Sequence, residues 1–264
     1  MDFASTEPAL ELAGALAIGL GTSIPMPERP QDTERLARFE NFRFGHDASR
    51  IGWAVGEGPT VLLVHGYSGR GVQMAAIAET LAAQGFRAVF FDAGGHGNSR
   101  NEKIGFFTFI EDTRAIAAHL GGEIHAMIGH SAGGLAMMRA RDIHGVRASR
   151  YVVIAAPFFP YVPLETMQGR GATEEALGYV KAILADQFRT SWSALVAGAA
   201  YKPEPGTPLL AIYDRDDDRV RHADADRLQV LWPGTITVKT EGFGHNRVLQ
   251  APETLAAIGD FMRQ

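Results

Sequence analysis

The chain of 264 residues contains no cysteine, which excludes disulfide staples, thiolate metal sites and a cysteine nucleophile. The same absence fits a reducing compartment, and a cytoplasmic location is the expectation. Positive charge is not in excess: 25 Lys and Arg stand against 30 Asp and Glu, a formal net charge of −5. With no run of Lys or Arg to track a phosphate backbone, nucleic acid is excluded as a partner, and an anionic surface is not expected either. Long hydrophobic runs are missing too. The longest near the N-terminus, Leu12 to Leu20, falls far short of the roughly 18 residues a membrane span needs, so no transmembrane segment is expected. Asp2, Glu7 and Glu11 precede or interrupt that run, which therefore lacks the basic leader of a signal peptide and reads as a short amphipathic helix. The nine histidines are scattered without H-x-H or H-E-x-x-H, so no metal is expected. No G-x-G-x-x-G follows the first strand-like run, where Gly66, Gly69 and Gly71 have the wrong spacing, and no dinucleotide or other cofactor is expected.

What the chain has in plenty is glycine: 30 of 264 residues, about 11% against a usual 7%. The glycines cluster at 66–71, 94–97, 129–134 and 242–244, each cluster directly after a strand-like run. Backbone at those points must turn sharply or come close to something. At roughly 150 residues per domain the length allows one large or two small domains.

Residues 1–38 read as an N-terminal helical extension, with a proline-rich break at Pro25–Pro30 and a second short helix around Thr33–Phe39. Phe42–Phe44 and Ile51–Trp53 alternate like the two arms of an antiparallel hairpin. Thr60–Val64 is an unbroken β-branched and leucine run, typical of a strand buried on both faces. Alternation follows: helix 71–84, strand 87–91, helix 107–120, strand 124–129, helix 132–143, strand 151–155. It stops at Ala156 and resumes with strand 208–213, a helix from about His222, strand 235–239 and helix 251–262. Such alternation gives an α/β fold with a mostly parallel sheet of about eight strands, helices on both faces and an N-terminal antiparallel hairpin. The core is expected over 39–156 and 206–264. Residues 157–205, rich in proline and aromatic residues and helical from Thr173 to about Ala200, read as a small helical cap.

Gly129-His130-Ser131-Ala132-Gly133 is a G-x-S-x-G placed between a strand and a helix. There a sharp turn puts Ser131 in a strained conformation with Oγ above the sheet edge, and Gly129 and Gly133 let strand and helix approach. A serine nucleophile needs a base, and the base needs an orienting carboxylate. Of the later histidines, His144 ends the helix that starts at Ser131, about 18 Å along its axis. His222 sits in an acidic loop near a helix start. His245, in Gly242-Phe-Gly-His-Asn246 after the last strand, is the candidate base. The acid comes from Asp214-Arg-Asp-Asp-Asp218: Asp217 stands three residues before the apolar anchor Val220, with Asp216 as the alternative. The other carboxylates of that run are read as caps or solvated loop residues. The oxyanion donors are expected to be the amides of Ala132 and Tyr67, with Gly66 turning the backbone inward. His65 reads as a loop brace, His130 as a supporting neighbour of the nucleophile, and Gly94–Gly97 as a structural turn below the sheet edge.

The set V-L-L-V-H-G-Y-S-G-R, F-D-A-G-G-H-G-N-S, I-G-H-S-A-G-G, I-Y-D-R-D-D and G-F-G-H-N-R-V-L resembles the α/β-hydrolase superfamily, and in particular its bacterial serine esterase-like members. The resemblance covers about residues 40–262 and implies Ser131, Asp217 and His245 as triad, with Tyr67 and Ala132 as oxyanion amides. Asp214 departs from the pattern, at a position often held by glycine. The implied activity is hydrolysis of carboxylic esters of small to medium apolar substrates through an acyl-enzyme, with a small-molecule ester as the partner and a homodimer compatible. Relatives with aspartate at the elbow, dehalogenases and many epoxide hydrolases, do not match Ser131. A carbon–carbon bond hydrolase, thioesterase, lactonase or perhydrolase of the same fold shares the motifs, as does a non-catalytic small-molecule receptor.

Overall fold

The computed structural model describes residues 26–100 and 105–264. The first expected helix, within residues 1–25, lies outside the described residues. The short helix expected around Thr33–Phe39 is α1, Pro30–Leu36, displaced toward the proline that opens it. Proline at the start of a helix loses no bond, because the first-turn amides have no partner there. Leu36 and Phe39 are buried against the sheet, Phe39 edge-on to Phe90 at 5.6 Å. The preceding segment is held by Arg70, whose Nη2 donates to Glu28 at 3.0 Å.

Among the described residues, eight strands form one sheet in the order β1-β2-β4-β3-β5-β6-β7-β8. The expected hairpin is β1 (Glu40–Phe44) and β2 (Arg50–Val55), paired antiparallel, and β2 also runs antiparallel to β4. The other pairs, from β4 (Arg87–Asp92) through β3 (Thr60–Val64), β5 (Ile124–His130), β6 (Ala148–Ile154), β7 (Leu209–Asp214) and β8 (Ile236–Thr240), are parallel. All C-terminal ends of those six strands therefore point to one edge.

The unbroken apolar run of β3 is explained by its place near the middle of the sheet. Leu62 and Val64 face a core built with α3 (Phe106–Leu120) and α4 (Ala132–His144), among them Phe109, Ile116 and Leu135. Val61 and Leu63 face the opposite core with α2 (Ala75–Ala83) and α10 (Pro252–Met262), among them Ile77, Leu81, Ile258 and Phe261. These four β3 side chains are fully buried, each contributing about 1.5–3 kcal/mol by removal from water.

The segment between β6 and β7 departs from the expected pattern. The stretch after Thr173 is broken into α6 (Glu174–Gln187) and α7 (Trp192–Val196), because Ser191 caps a new start by accepting the Ala194 amide at 3.1 Å. Thr173 does the same for α6 at the Ala176 amide. The proline-rich segment before them holds a further helix, α5 (Val162–Gly169), with Pro163 in its first turn. These three helices lie between β6 and β7 and share an apolar cluster of Leu164, Met167, Leu177, Val180 and Leu184, with Trp192 packed against it. The chain leaves the sheet at Ile154 and returns at Leu209 on the adjacent strand. After β7 come α8 (Asp224–Leu231) and β8. The final stretch holds α9, the single turn Gly244–Arg247, before α10.

Candidate active site

Ser131 is the residue between β5 and α4, with φ 51° and ψ −126°. A non-glycine residue there pays a steric cost, and it persists because its surroundings fix it. Its amide donates to Ile154 O at 2.9 Å, extending the β5–β6 ladder by one step. The turn is tight enough that neighbouring glycines cannot carry a side chain. A Cβ on Gly133 would stand 2.1 Å from His65 O, and one on Gly129 would stand 2.4 Å from the Gly134 Cα.

At the same sheet edge the loops after β7 and β8 bring two more side chains to Ser131. The Ser131 hydroxyl lies 3.0 Å from His245 Nε2 and, with the proton on the other nitrogen, donates to it. His245 Nδ1 donates to Asp217 Oδ2 at 2.7 Å. The other Asp217 oxygen accepts the amides of Arg219 and Val220 at 2.8 and 2.9 Å. Burial pushes the Asp217 carboxyl up, but the bond and charge of His245 and the Val220 and Arg219 amides outweigh it and hold the group below the ordinary carboxylate range. Its side chain is fully buried and that of His245 nearly so. Of the two candidate acids, Asp217 reaches the imidazole. Asp216 instead accepts the Gly242 amide at 2.7 Å.

Tyr67 lies in the turn Gly66–Gly69, closed by Gly69 N donating to Gly66 O at 3.0 Å, with φ 58° at Ser68. This turn sits directly against Ser131: a Cβ on Gly66 would stand 3.1 Å from Ser131 Cβ and 2.9 Å from His130 Nδ1. Ala132 is the first residue of α4, where a helix leaves its amides without intrahelical acceptors. Burial raises the Tyr67 phenol to about 12, so it stays neutral.

Three buried imidazoles surround this edge. His65 Nδ1 donates to Gly66 O at 2.7 Å and its Nε2 accepts the Ala93 amide at 3.0 Å, the bracing role its sequence position suggested. His130 Nε2 donates to the backbone oxygen of His245 at 2.9 Å. His96 Nδ1 donates to Gly94 O at 3.1 Å while its Nε2 accepts the Ser68 amide at 3.1 Å. Burial lowers His65 to about 4 and His96 and His130 to about 3, so all three are neutral. The position of His96 corrects the reading of Gly94–Gly97 as a turn below the edge. β4 runs parallel to β3, so its following loop lies at the same edge and is stitched to the Tyr67 turn. His144 is remote, paired with Glu111 at 2.8 Å, and His222 is half-buried ahead of α8.

Sequence reasoning missed Asp214. It is fully buried, and Oδ1 accepts the amides of Asp216 and Gly244 at 3.0 and 2.9 Å. Oδ2 accepts the Thr240 hydroxyl at 2.7 Å and the Phe243 amide at 3.2 Å. Burial pushes its carboxyl up, but the Thr240 hydroxyl and the Gly244, Asp216 and Phe243 amides hold it below the usual range. The signal was its departure from the glycine often found at that position. Among the described residues no group of three or more His, Asp or Glu could hold a metal ion, and no helix is long and apolar enough to cross a membrane.

The family model Hydrolase_4, described as serine aminopeptidase, S33, matches residues 58–233, more than half of the chain. A 90-residue stretch is 36% identical to the magnesium-chelatase 30 kDa subunit of Rhodobacter capsulatus; it covers 33% of this chain and 31% of that protein's length. The fold is that of an esterase of Pyrococcus furiosus, with a TM-score of 0.66 at 19% identity over 92% of this chain and 97% of that one. It is also that of a thermophilic esterase of Thermogutta terrifontis (0.60, 18%, over 85% and 98%) and of an epoxide hydrolase of Vigna radiata (0.61, 16%, over 86% and 99%).

Proposed function

The chain belongs to the Hydrolase_4 family, serine aminopeptidase S33, of α/β-hydrolase enzymes, and from that premise we propose that it hydrolyses carboxylic esters of small to medium apolar substrates through a serine acyl-enzyme. The observation that carries the reading is the unbroken chain Ser131 Oγ–His245–Asp217, 3.0 and 2.7 Å, built on a serine held at positive φ. In this reading His245 takes the Ser131 proton as Oγ bonds to the acyl carbon, and Asp217 holds the imidazole in the required tautomer and stabilises the imidazolium. The amides of Tyr67 and Ala132 donate to the oxyanion. The tetrahedral species collapses as His245 returns the proton to the leaving alcohol. Water, deprotonated by the same imidazole, then adds to the acyl carbon and releases the acid and free Ser131.

In this reading the helices between β6 and β7 form a small cap over this edge, and the aromatic and methionine content of that segment favours an apolar acyl or alcohol group. The name of the family model adds an aminoacyl amide as the second acyl donor to be tried. The deciding experiment combines fluorophosphonate labelling, read by intact mass, with turnover of p-nitrophenyl esters of graded chain length and of aminoacyl p-nitroanilides. The reading requires an adduct on the wild-type chain, none on Ser131→Ala, and ester turnover above anilide turnover. No adduct on the wild-type chain points to a binding protein; an adduct without ester turnover points to another chemistry of the fold.

A further inference from the structure

A carboxylate with no cation beside it is costly to bury unless hydrogen bonds replace its water. Asp214 is fully buried at the end of β7 and has four donors, of which three come from the end of β8 and the loop after it: Thr240, Phe243 and Gly244. The fourth, the Asp216 amide, belongs to its own loop. One side chain thus joins the loop that carries Asp217 to the loop that carries His245. The rest of the junction is slight. Asp216, on the surface, holds the Gly242 amide, and Arg215 N donates to Thr240 O at 2.9 Å. Gly242 and Gly244 both have positive φ, at 87° and 65°, so the histidine loop has little conformational preference of its own to place the imidazole.

We propose that Asp214 is a positioning residue, a carboxylate staple that sets the register between Asp217 and His245, in place of the glycine common at this point. The inference rests on the serine-hydrolase reading above. It assigns a task to two carboxylates of the acidic run: Asp217 orients the imidazole, and Asp214 orients the backbone that bears it. Asparagine at 214 keeps the volume but turns an NH2 toward donors that need an acceptor. The histidine loop then loses one arm of the staple and the Nδ1–Asp217 contact loosens, without any change at Ser131 or in the groups that hold substrate.

The test is Asp214→Asn, compared with the wild-type chain by melting temperature, steady-state ester kinetics and the downfield proton resonance of His245 Nδ1–H. The expected result is a folded protein with kcat lowered between about 10- and 100-fold, KM nearly unchanged, and the resonance shifted or broadened away. In a His245→Ala background, Asp214→Asn is expected to cost nothing further in residual activity, since the staple has no imidazole left to aim. Wild-type kcat and resonance in folded Asp214→Asn overturn the proposal, and so does an equal loss in both backgrounds. If Asp214→Asn does not fold, Thr240→Val removes one donor and is expected to lower kcat several-fold with the same spectral change; an unaltered Thr240→Val overturns the proposal. Failure of the hydrolase reading is distinct, because it shows as an absent fluorophosphonate adduct on the wild-type chain.

Discussion

The loops after β7 and β8 are fastened to each other by carboxylates, whereas those after β3 and β4 are stitched mainly by neutral imidazoles. On the first side Asp214, Asp216 and Asp217 accept eight protein donors between them, four of them on Asp214. On the second side His65 links Gly66 O to the Ala93 amide, and His96 links Gly94 O to the Ser68 amide. Asp92 contributes there as well, accepting the amides of Gly71 and Asn98. A carboxylate only accepts, so it gathers several N–H groups around one point and suits a loop that must curl about a fixed side chain. A neutral imidazole accepts once and donates once, so it ties an amide of one strand-end loop to a carbonyl of its neighbour. The first arrangement aims side chains; the second aims main-chain amides.

Substitutions separate the two sides by size of effect. The largest are expected at the proposed triad: Ser131→Ala should lower kcat by about 10⁶-fold and Asp217→Asn by about 10⁴-fold, the size of such losses in serine triads. Steady-state ester hydrolysis measures both, and an Asp217→Asn chain with near wild-type kcat would remove that residue from the carboxylate side altogether. Next comes the amide side. Tyr67 is the second residue of a turn with positive φ at its third, a place where proline is well accepted, so Tyr67→Pro deletes one N–H with the turn kept. It should cost about 10²–10³ in kcat, while Tyr67→Ala, which keeps the amide, should stay close to wild type. Equal losses for the two variants would show that the ring, not the amide, is what counts.

Acid separates the sides by chemistry. Buried His65, His96 and His130 have folded-state values near 4, 3 and 3 against 6.5 for the free group. The unfolded chain therefore binds more protons across that interval, so their contribution is present above pH 6.5 and is lost as the pH falls toward 4 and 3. Asp214 and Asp217 lie below 3.8, and their contribution is lost only at lower pH. Asp92 and Asp112, raised by burial, take up protons earlier in the folded chain and offset part of the imidazole loss. Urea unfolding midpoints should fall between pH 6.5 and 4. The smallest predicted effect sharpens the contrast: His96→Gln retains an acceptor for Ser68 without titrating, and should flatten that decline. An unchanged slope would remove His96 as a source of the acid sensitivity.

The sequence showed much of the strand–helix order because β3, β5 and β7 are apolar on both faces, and no surface helix has that pattern. The elbow was legible because Gly129 and Gly133 sit where a Cβ has no room. Asp217 was selected over Asp216 by its distance from buried Val220, and the two carboxylates take different partners in the fold. Asp214 was not legible, because three of its four partners lie 26 to 30 residues away across a strand pair that no local pattern reports. His96 escaped for the same reason, 28 residues from Ser68. Helices α5 and α9 were missed because three prolines and two glycines argued for irregular backbone, whereas proline in a first turn and a single helical turn are both compatible with them.

The departure of the chain at Ile154 and its return at Leu209 on the neighbouring strand fix both ends of residues 155–208 at a set separation. Closing a loop between fixed ends costs entropy only as the logarithm of its length, about 0.6 kcal/mol for each doubling. Loop closure therefore sets little limit on the length of that segment; packing sets it, because Phe158, Phe188, Leu195 and Tyr201 are buried in the main core and the Tyr161 hydroxyl accepts the Arg221 amide at 3.0 Å, just beyond Asp217. Insertions at its exposed turns are therefore expected to be tolerated, whereas a foreign segment grafted between Ile154 and Leu209 has to rebuild that packing and the contact to Arg221.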